Sequence, residues 1–290
     1  MKPVTVSFEF FPPKTAAMEE TLWQAIRKLE PLQPAFVSVT YGAAGSTRER
    51  THATVKRIID HTSLRPAAHL TCVGATRAQV DEVVRAYWDA GVRHIVALRG
   101  DPPGGLATRF TPHPGGYESS AALVAGIKAI APFEVSVGCY PEPHPEATSA
   151  QADLDVLKRK IDAGADRAIT NSFFDADFYL RFRDRAWAAG IHVPIVPGIM
   201  PIANFKSNLN FARKTGVTVP DALLRLFEGL EDDPETARLV AAKVAAELCQ
   251  SLQAQGVDTF HFYTLNRPDL VYATCHMLGL RAKPTMKEGA

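Results

Sequence analysis

The residues best suited to chemistry lie where hydrophobic runs stop. Glu9 sits in Val4-Thr-Val-Ser-Phe-Glu-Phe-Phe-Pro-Pro13, with Phe8, Phe10 and Phe11 around it. A carboxyl group among aromatic rings holds its proton to higher pH, because its charged form loses hydration. A general acid working near neutral pH needs that property. A strand-edge carboxylate in a salt bridge is the competing reading, and this segment alone does not separate them. Arg99-Gly100-Asp101 is the second element. Its glycine admits a ligand close to the backbone, its arginine offers a fork to phosphate, and its aspartate can accept from a ring N–H. An ordinary tight turn has the same composition. In the stretch 153–160, helical spacing can put Asp153 and Lys160 on one face. Arg159 and Lys160 could then reach a diphosphate. Taken by itself, the stretch is better accounted for as a solvated, charged helix surface.

Other chemistries fare poorly. His69, His144 and His261 are isolated, with no HxH or HExxH spacing, so no metal centre is expected. No lysine ends a strand; Lys14 and Lys206 fall in or beside helix starts, which disfavours Schiff-base chemistry. A GxSxG elbow is absent, and so is the GxGxxG turn of a Rossmann dinucleotide site. Cys72, Cys139, Cys249 and Cys275 form no CxxC pair and read as reduced, mostly buried thiols of a cytoplasmic protein. The net charge of +1 suggests neither a nucleic-acid nor a membrane-surface partner. No apolar run is long enough to span a bilayer, and the N-terminus lacks the apolar core of a signal peptide.

These residues need elements to position them. Strand patterns are expected near 4–9, 36–40, 67–71, 94–98, 134–138, 167–170, 193–197 and 259–262. Helices are expected between them and after the last, with extra helical stretches near 220–229 and 234–255 before the last strand. Short, mostly non-alternating strands, each followed by a helix, imply a parallel sheet covered on both faces. Eight such units favour a closed (β/α)8 barrel, which at about 250 residues fits this length as one domain over 1–290. The Gly/Pro-rich loop from Arg99 to about Tyr117 reads as a βα loop at the active face, and the stretch after about 281 as frayed.

In such a barrel the active site gathers at the carboxyl ends of the strands. Those ends supply Glu9, Thr40-Tyr-Gly-Ala43, His69-Leu-Thr71, Arg99-Gly-Asp101, Gly138-Cys-Tyr140 with His144, Thr170-Asn-Ser172, Pro197-Gly198 and Tyr263-Thr-Leu-Asn-Arg267. The set is polar and aromatic with few charges. It suits a large, flat, hydrogen-bonding ligand better than a metal or a bare phosphate.

Seven stretches then carry a resemblance. They are Phe8-Glu-Phe-Phe-Pro-Pro13, Phe36-Val-Ser-Val-Thr-Tyr-Gly42, His69-Leu-Thr-Cys72, His94-Ile-Val-Ala-Leu-Arg-Gly-Asp101, Tyr140-Pro-Glu with His144-Pro-Glu-Ala147, Leu157-Lys-Arg-Lys160 and Phe260-His-Phe-Tyr-Thr-Leu-Asn-Arg267. Distinctive and spread over nearly the whole chain, they resemble those of the bacterial methylenetetrahydrofolate reductases, FAD-containing (β/α)8 barrels. Eukaryotic members add a C-terminal regulatory domain, for which this length has no room.

The resemblance implies a one-carbon enzyme that makes 5-methyltetrahydrofolate for methionine biosynthesis. Glu9 matches the acid that protonates N10 of methylenetetrahydrofolate and opens its five-membered ring to an iminium. Asp101 matches an aspartate near flavin and pterin. Flavin contacts would come from Thr40, Tyr41, Ala43, His69, Arg99, Gly100, Asp101, Tyr117, Tyr140, His144, Asp153, Arg159 and Lys160. Folate or nicotinamide contacts would come from Glu9, Asp101, Asn171, Phe211, Tyr263 and Arg267. The implied mechanism is ping-pong: NADH or NADPH passes a hydride to FAD and leaves, and folate then receives it at the same site. Which nicotinamide is used is not legible, and a homo-oligomer is left open.

Two positions depart from the family pattern. Asn171-Ser172 stands where Gln and an aromatic are usual, and Asn is one methylene shorter, so a direct contact becomes a water-mediated one. Val156 stands where some relatives place Asn near the flavin's adenosine. Two other functions remain: a flavin-independent reductase with direct hydride transfer, and a non-catalytic folate- or flavin-binding barrel, against which Glu9 argues.

Overall fold

The computed structural model describes residues 3–42, 48–102 and 110–283. Ala43 and residues 103–109 of the Gly/Pro-rich loop lie outside the described residues. Eight parallel strands follow one another round a closed barrel: β1 (Thr5–Phe10), β2 (Phe36–Val39), β3 (Pro66–Thr71), β4 (His94–Leu98), β5 (Glu134–Cys139), β6 (Arg167–Ser172), β7 (Ile195–Ile199) and β8 (Thr259–Tyr263). The ring closes between β8 and β1, where Ser7 pairs with His261 and Glu9 with Tyr263. The outer helices are α1 (Ala16–Leu29), α2 (Arg48–His61), α3 (Arg77–Asp89), α4 (Ser120–Ile130), α5 (Ala150–Asp162), α6 (Ala176–Ala188), α7 (Phe205–Thr215), α8 (Asp221–Phe227), α9 (Pro234–Ala254) and α10 (Pro268–Met277). The expected (β/α)8 barrel, with extra helices α8 and α9 before the last strand, is the fold observed.

Local chemistry sets the helix starts. Thr15, Ser119, Ser149 and Asn204 each accept a backbone N–H three residues on, satisfying donors that the first turn leaves free. Thr76 and Gln79 form a reciprocal capping box on α3. A short 3-10 turn, Glu30–Leu32, follows α1; Pro31 at its start has no N–H to continue an α-helix, a feature the sequence reading passed over.

Alternation along each strand decides what faces where. On β1, Val6, Phe8 and Phe10 join the main core between barrel and helices, with Phe260 and Phe262 of β8. Burying each such side chain contributes roughly 1.5–3 kcal/mol. Ser7 and Glu9 take the opposite, inward face. Within the barrel Phe36, Ala67, Val96 and Ile169 make a small apolar layer. Near the amino ends of the strands, His94 Nε2 lies 2.8 Å from Ser136 Oγ, and Arg167 pairs with Glu134 at 2.7 Å. A satellite core of Ile202, Leu223, Phe227 and Ala241 ties α8 and α9 to the barrel. All four cysteines are buried free thiols. Among the described residues, no helix is long and apolar enough to cross a membrane.

The strands differ in detail from expectation. β7 starts and ends two residues later than the expected 193–197. Gly198 is inside it, because a Cβ there would fall 2.7 Å from the Tyr263 ring and 2.1 Å from the Thr170 carbonyl oxygen. β6 runs on to Ser172, with an irregular register against β7 between Ile169 and Ser172.

Candidate active site

Glu9 is the penultimate residue of β1, opposite Ser38 on β2 and Tyr263 on β8. The phenylalanine surround expected from its sequence neighbours does not form. Phe8 and Phe10 are buried on the other face of the strand, and Phe11 is 38% exposed. Successive strand side chains point to opposite faces, so neighbours in sequence cannot enclose one another. The groups that meet Glu9 come from other strands. Its Oε2 lies 3.3 Å from His69 Nε2 on β3 and 3.7 Å from His261 Nε2 on β8. The His69 nitrogen is buried without an aligned hydrogen bond, so the approach is close contact rather than a formed bond. Burial lowers the pKa of His69, outweighing the opposite pull of Glu9, so this imidazole is neutral at pH 7. Tyr263 is held well above the usual phenol range, first by burial and then by Glu9, and its hydroxyl donates to the Thr170 carbonyl at 2.7 Å.

The backbone around Glu9 is fixed from the end of β8. The Thr264 hydroxyl donates to the Glu9 carbonyl at 2.6 Å. Asn266 brackets the next turn: its Oδ1 accepts the Phe11 N–H at 2.9 Å and its Nδ2 donates to the Phe11 carbonyl at 3.0 Å. Leu265 and Asn266 both adopt left-handed backbone, with φ of 51° and 54°. Asparagine tolerates that region better than most residues, which was the only signal for this clamp in the sequence.

A cleft of about 350 Å³ opens over the carboxyl ends of β2 to β5 and the start of α5. Gly100 forms its floor with φ of +83°; a Cβ there would meet Val73 at 2.5 Å and Thr71 at 2.8 Å. Thr71 Oγ1, also lining the cleft, is buried and has no hydrogen-bond partner. Arg99 pairs with Glu146, and its guanidinium lies 4.9 Å from the Phe110 ring centre. Tyr140 meets His144 edge-on at 4.7 Å. The His144 N–H donates to Asp153 in the first turn of α5 at 3.1 Å, and its Nδ1 accepts from the Glu146 N–H at 3.0 Å. Lys160, on the same face of α5, donates to the Gly138 carbonyl at 2.8 Å. Burial raises Tyr41, pushes Tyr140 up to about 12 and lowers His144, so both phenols and the imidazole are neutral hydrogen-bonding groups at pH 7. The cleft combines neutral hydrogen-bonding groups, the basic side chains of Arg99 and Lys160, the carboxylates of Asp101, Glu146 and Asp153, and a close backbone approach. It suits a flat, hydrogen-bonding ligand.

The methylenetetrahydrofolate reductase family model matches residues 1–279. The chain belongs to that family. It is 54% identical to 5,10-methylenetetrahydrofolate reductase of Pectobacterium carotovorum subsp. carotovorum, over 96% of this chain and 91% of that protein. It is 53% identical to the protein of the same name from Escherichia coli (strain K12), over 96% and 92%. Among solved structures it shares its fold, at TM-score 0.62 and 12% identity, with a Clostridium thermocellum protein described as binding two copies of 5-methyl-5,6,7,8-tetrahydrofolic acid. That match covers 95% of this chain and 96% of the other.

For this methylenetetrahydrofolate reductase family member, the residues expected at the site fall into two groups. Tyr41, Arg99, Gly100, Asp101, Tyr140, His144, Asp153 and Lys160 line the cleft, and so does Val156. Glu9 and His69 lie together inside the barrel, and Thr40 follows β2, its carbonyl accepting from Thr51 at 2.8 Å. The others stand apart. Tyr117 is buried against α4, its hydroxyl donating to Asp81 on α3 at 2.6 Å, and does not line the cleft. Arg159 is exposed and turned away from the cleft, because neighbours on a helix point about 100° apart. Asn171 is half-buried within β6. Phe211 is 40% exposed on α7, and Arg267 is exposed at the start of α10. Sequence pattern alone assigns no role to Thr264, Asn266, Glu146, Ser7 or Thr71, and marks His261 only as an isolated histidine.

Proposed function

We propose that this chain reduces 5,10-methylenetetrahydrofolate to 5-methyltetrahydrofolate with NADH or NADPH, using bound FAD and Glu9 as the general acid. The observation that carries the reading is Glu9 itself: an inward carboxyl at the carboxyl end of β1, beside two imidazoles. The names of relatives 53–54% identical support folate reduction, and the folate bound by the structural neighbour is consistent with a small-molecule folate substrate.

The residues present fit FAD. The unpartnered Thr71 hydroxyl and the glycine floor at Gly100 offer a polar, close-approach bed for a flat ring. Arg99 and Lys160 would face its diphosphate, and Tyr140, His144 and Asp153 would bound the remainder. The chemistry that FAD supplies when bound is two-electron transfer between nicotinamide and folate. The chain manages position and protons. Glu9 holds a proton at its carboxyl and delivers it to folate N10, which makes that nitrogen a leaving group and opens the five-membered ring. The clamp of Thr264 and Asn266 fixes where that proton is presented. Asp101 would border the ring and the pterin, Asn171 would reach the substrate through water, and Phe211, Tyr263 and Arg267 would border the place that nicotinamide and folate occupy in turn.

Two measurements on the purified protein test this reading. They are the flavin released on denaturation and the NAD(P)H-dependent reduction of methylenetetrahydrofolate. The expected result is FAD near one per chain and activity. Activity without flavin would replace the FAD half with direct hydride transfer, and flavin without folate reduction would overturn the reductase reading.

A further inference from the structure

The inward face of β1 carries a second polar residue, Ser7, one layer below Glu9. Its Oγ lies 2.7 Å from His261 Nδ1 and 3.5 Å from the Phe260 carbonyl oxygen. The other nitrogen of the same imidazole, Nε2, lies 3.7 Å from Glu9 Oε2. Ser7 and His261 are each 1% exposed. The imidazole is fixed in plane, stacked on Phe36 at 5.7 Å and met edge-on by Tyr263 at 5.3 Å. It therefore stands between a serine and the proposed acid with one nitrogen for each.

We propose that Ser7 and His261 are positioning residues that keep Glu9 protonated: Ser7 holds His261 as the Nδ1–H tautomer, so that an unprotonated Nε2 faces the Glu9 carboxyl. The proposal rests on the reading of Glu9 as the acid. A neutral imidazole carries one N–H, and the hydrogen bond at one nitrogen sets the state of the other. In the proposed tautomer Nδ1–H donates to Ser7 Oγ, and the Ser7 hydroxyl donates onward to Phe260. Nε2 then has only a lone pair to turn toward Glu9, which favours the carboxylic acid over the carboxylate. In the opposite tautomer Ser7 donates to Nδ1, and Nε2–H points at Glu9 and favours the carboxylate, an acid already without its proton.

His69 Nε2 lies 3.3 Å from the same Glu9 oxygen, so His261 acts on Glu9 beside a second imidazole. His69 on β3 and His94 on β4 are neutral at pH 7 because burial lowers both, and Tyr263 on β8 is a neutral phenol. Arg167 on β6 is paired with Glu134 on β5, and Arg65 lies 3.9 Å from the same carboxylate. The proton that Glu9 gives to N10 is replaced from solvent, to which the Glu9 side chain is 14% exposed.

The test has a spectroscopic arm and a kinetic arm. Imidazole 15N spectra of the protein, with His261 assigned by its loss in His261→Gln, are expected to show the Nδ1–H tautomer. Ser7→Ala should shift His261 toward Nε2–H, and Ser7→Thr, which keeps the hydroxyl, should restore it. In Ser7→Ala the alkaline limb of folate reduction, divided at each pH by nicotinamide–quinone turnover, should move down by about one pH unit, roughly a tenfold loss on that limb. An Nε2–H tautomer in the unaltered protein, or an unmoved limb in Ser7→Ala, overturns the proposal. The 15N result needs no folate chemistry, so it decides the tautomer even if the reductase reading fails.

Discussion

Replacing Asn266 tests whether the end of β8 holds the acid in place. Asn266 is 7% exposed and makes two side-chain hydrogen bonds to Phe11, two residues beyond Glu9. Asn266→Ala removes both, at about 1 kcal/mol each. It also puts a Cβ residue without a local polar side chain at φ of 54°, which costs about 1 kcal/mol more. The expected loss is about 3 kcal/mol. Asn266→Gly relieves the backbone but not the missing bonds, so about 2 kcal/mol should still be lost. Urea unfolding at a fixed, saturating flavin concentration reads both, because a bound ligand shifts apparent stability. Folate reduction should fall more than nicotinamide–quinone turnover in both variants, since a displacement of about 1 Å at an acid can cost roughly a hundredfold. Less than about 1 kcal/mol lost in Asn266→Ala, or equal falls in the two activities, would refute the clamp.

Other consequences follow from single residues. Burial, helped by Arg167, pushes His94 down to about 3, against about 6.5 in an unfolded chain. Between those values the unfolded chain binds a proton that the folded one refuses, so stability should fall as pH falls, by up to about 1.4 kcal/mol per unit. His94→Gln should remove about 2 kcal/mol of the difference between pH 7 and pH 5, read by urea unfolding. Lys160→Met should lower FAD content in titrations of the apoprotein, while Arg159→Met, changed outside the cleft, should not; equal effects would count against the cleft as the flavin bed. Gly100→Ala forces a Cβ to 2.5 Å from Val73 and should cost roughly 1–3 kcal/mol and most of the bound flavin, checked by thermal unfolding and absorbance.

The barrel was legible because its evidence is local and repeated: eight short apolar runs, each followed by a helical pattern. The cleft was legible in part because strand ends converge in this fold, so Arg99, Gly100, Tyr140 and His144 could be grouped before any contact was known. Alternation set the first limit. Phe8 and Phe10 read as a setting for Glu9, yet an inward side chain meets other strands, and its neighbours are His69 and His261. Helix rotation set the second: Arg159 and Lys160 are adjacent in sequence, but only Lys160 lines the cleft. Gly198 was placed just past β7, whereas it lies inside the strand and makes room for Tyr263. The Asn266 clamp joins residues 255 apart, and no local pattern announces a bond of that span.

Glu9→Gln is the most direct test of the central claim. Glutamine keeps the shape and hydrogen-bonding reach of the side chain but has no acidic proton to give. With FAD bound, nicotinamide oxidation by a quinone acceptor should persist, while reduction of methylenetetrahydrofolate should fall by about 10²–10⁴, the usual contribution of a positioned acid. Folate reduction at the unaltered rate in Glu9→Gln would contradict the account.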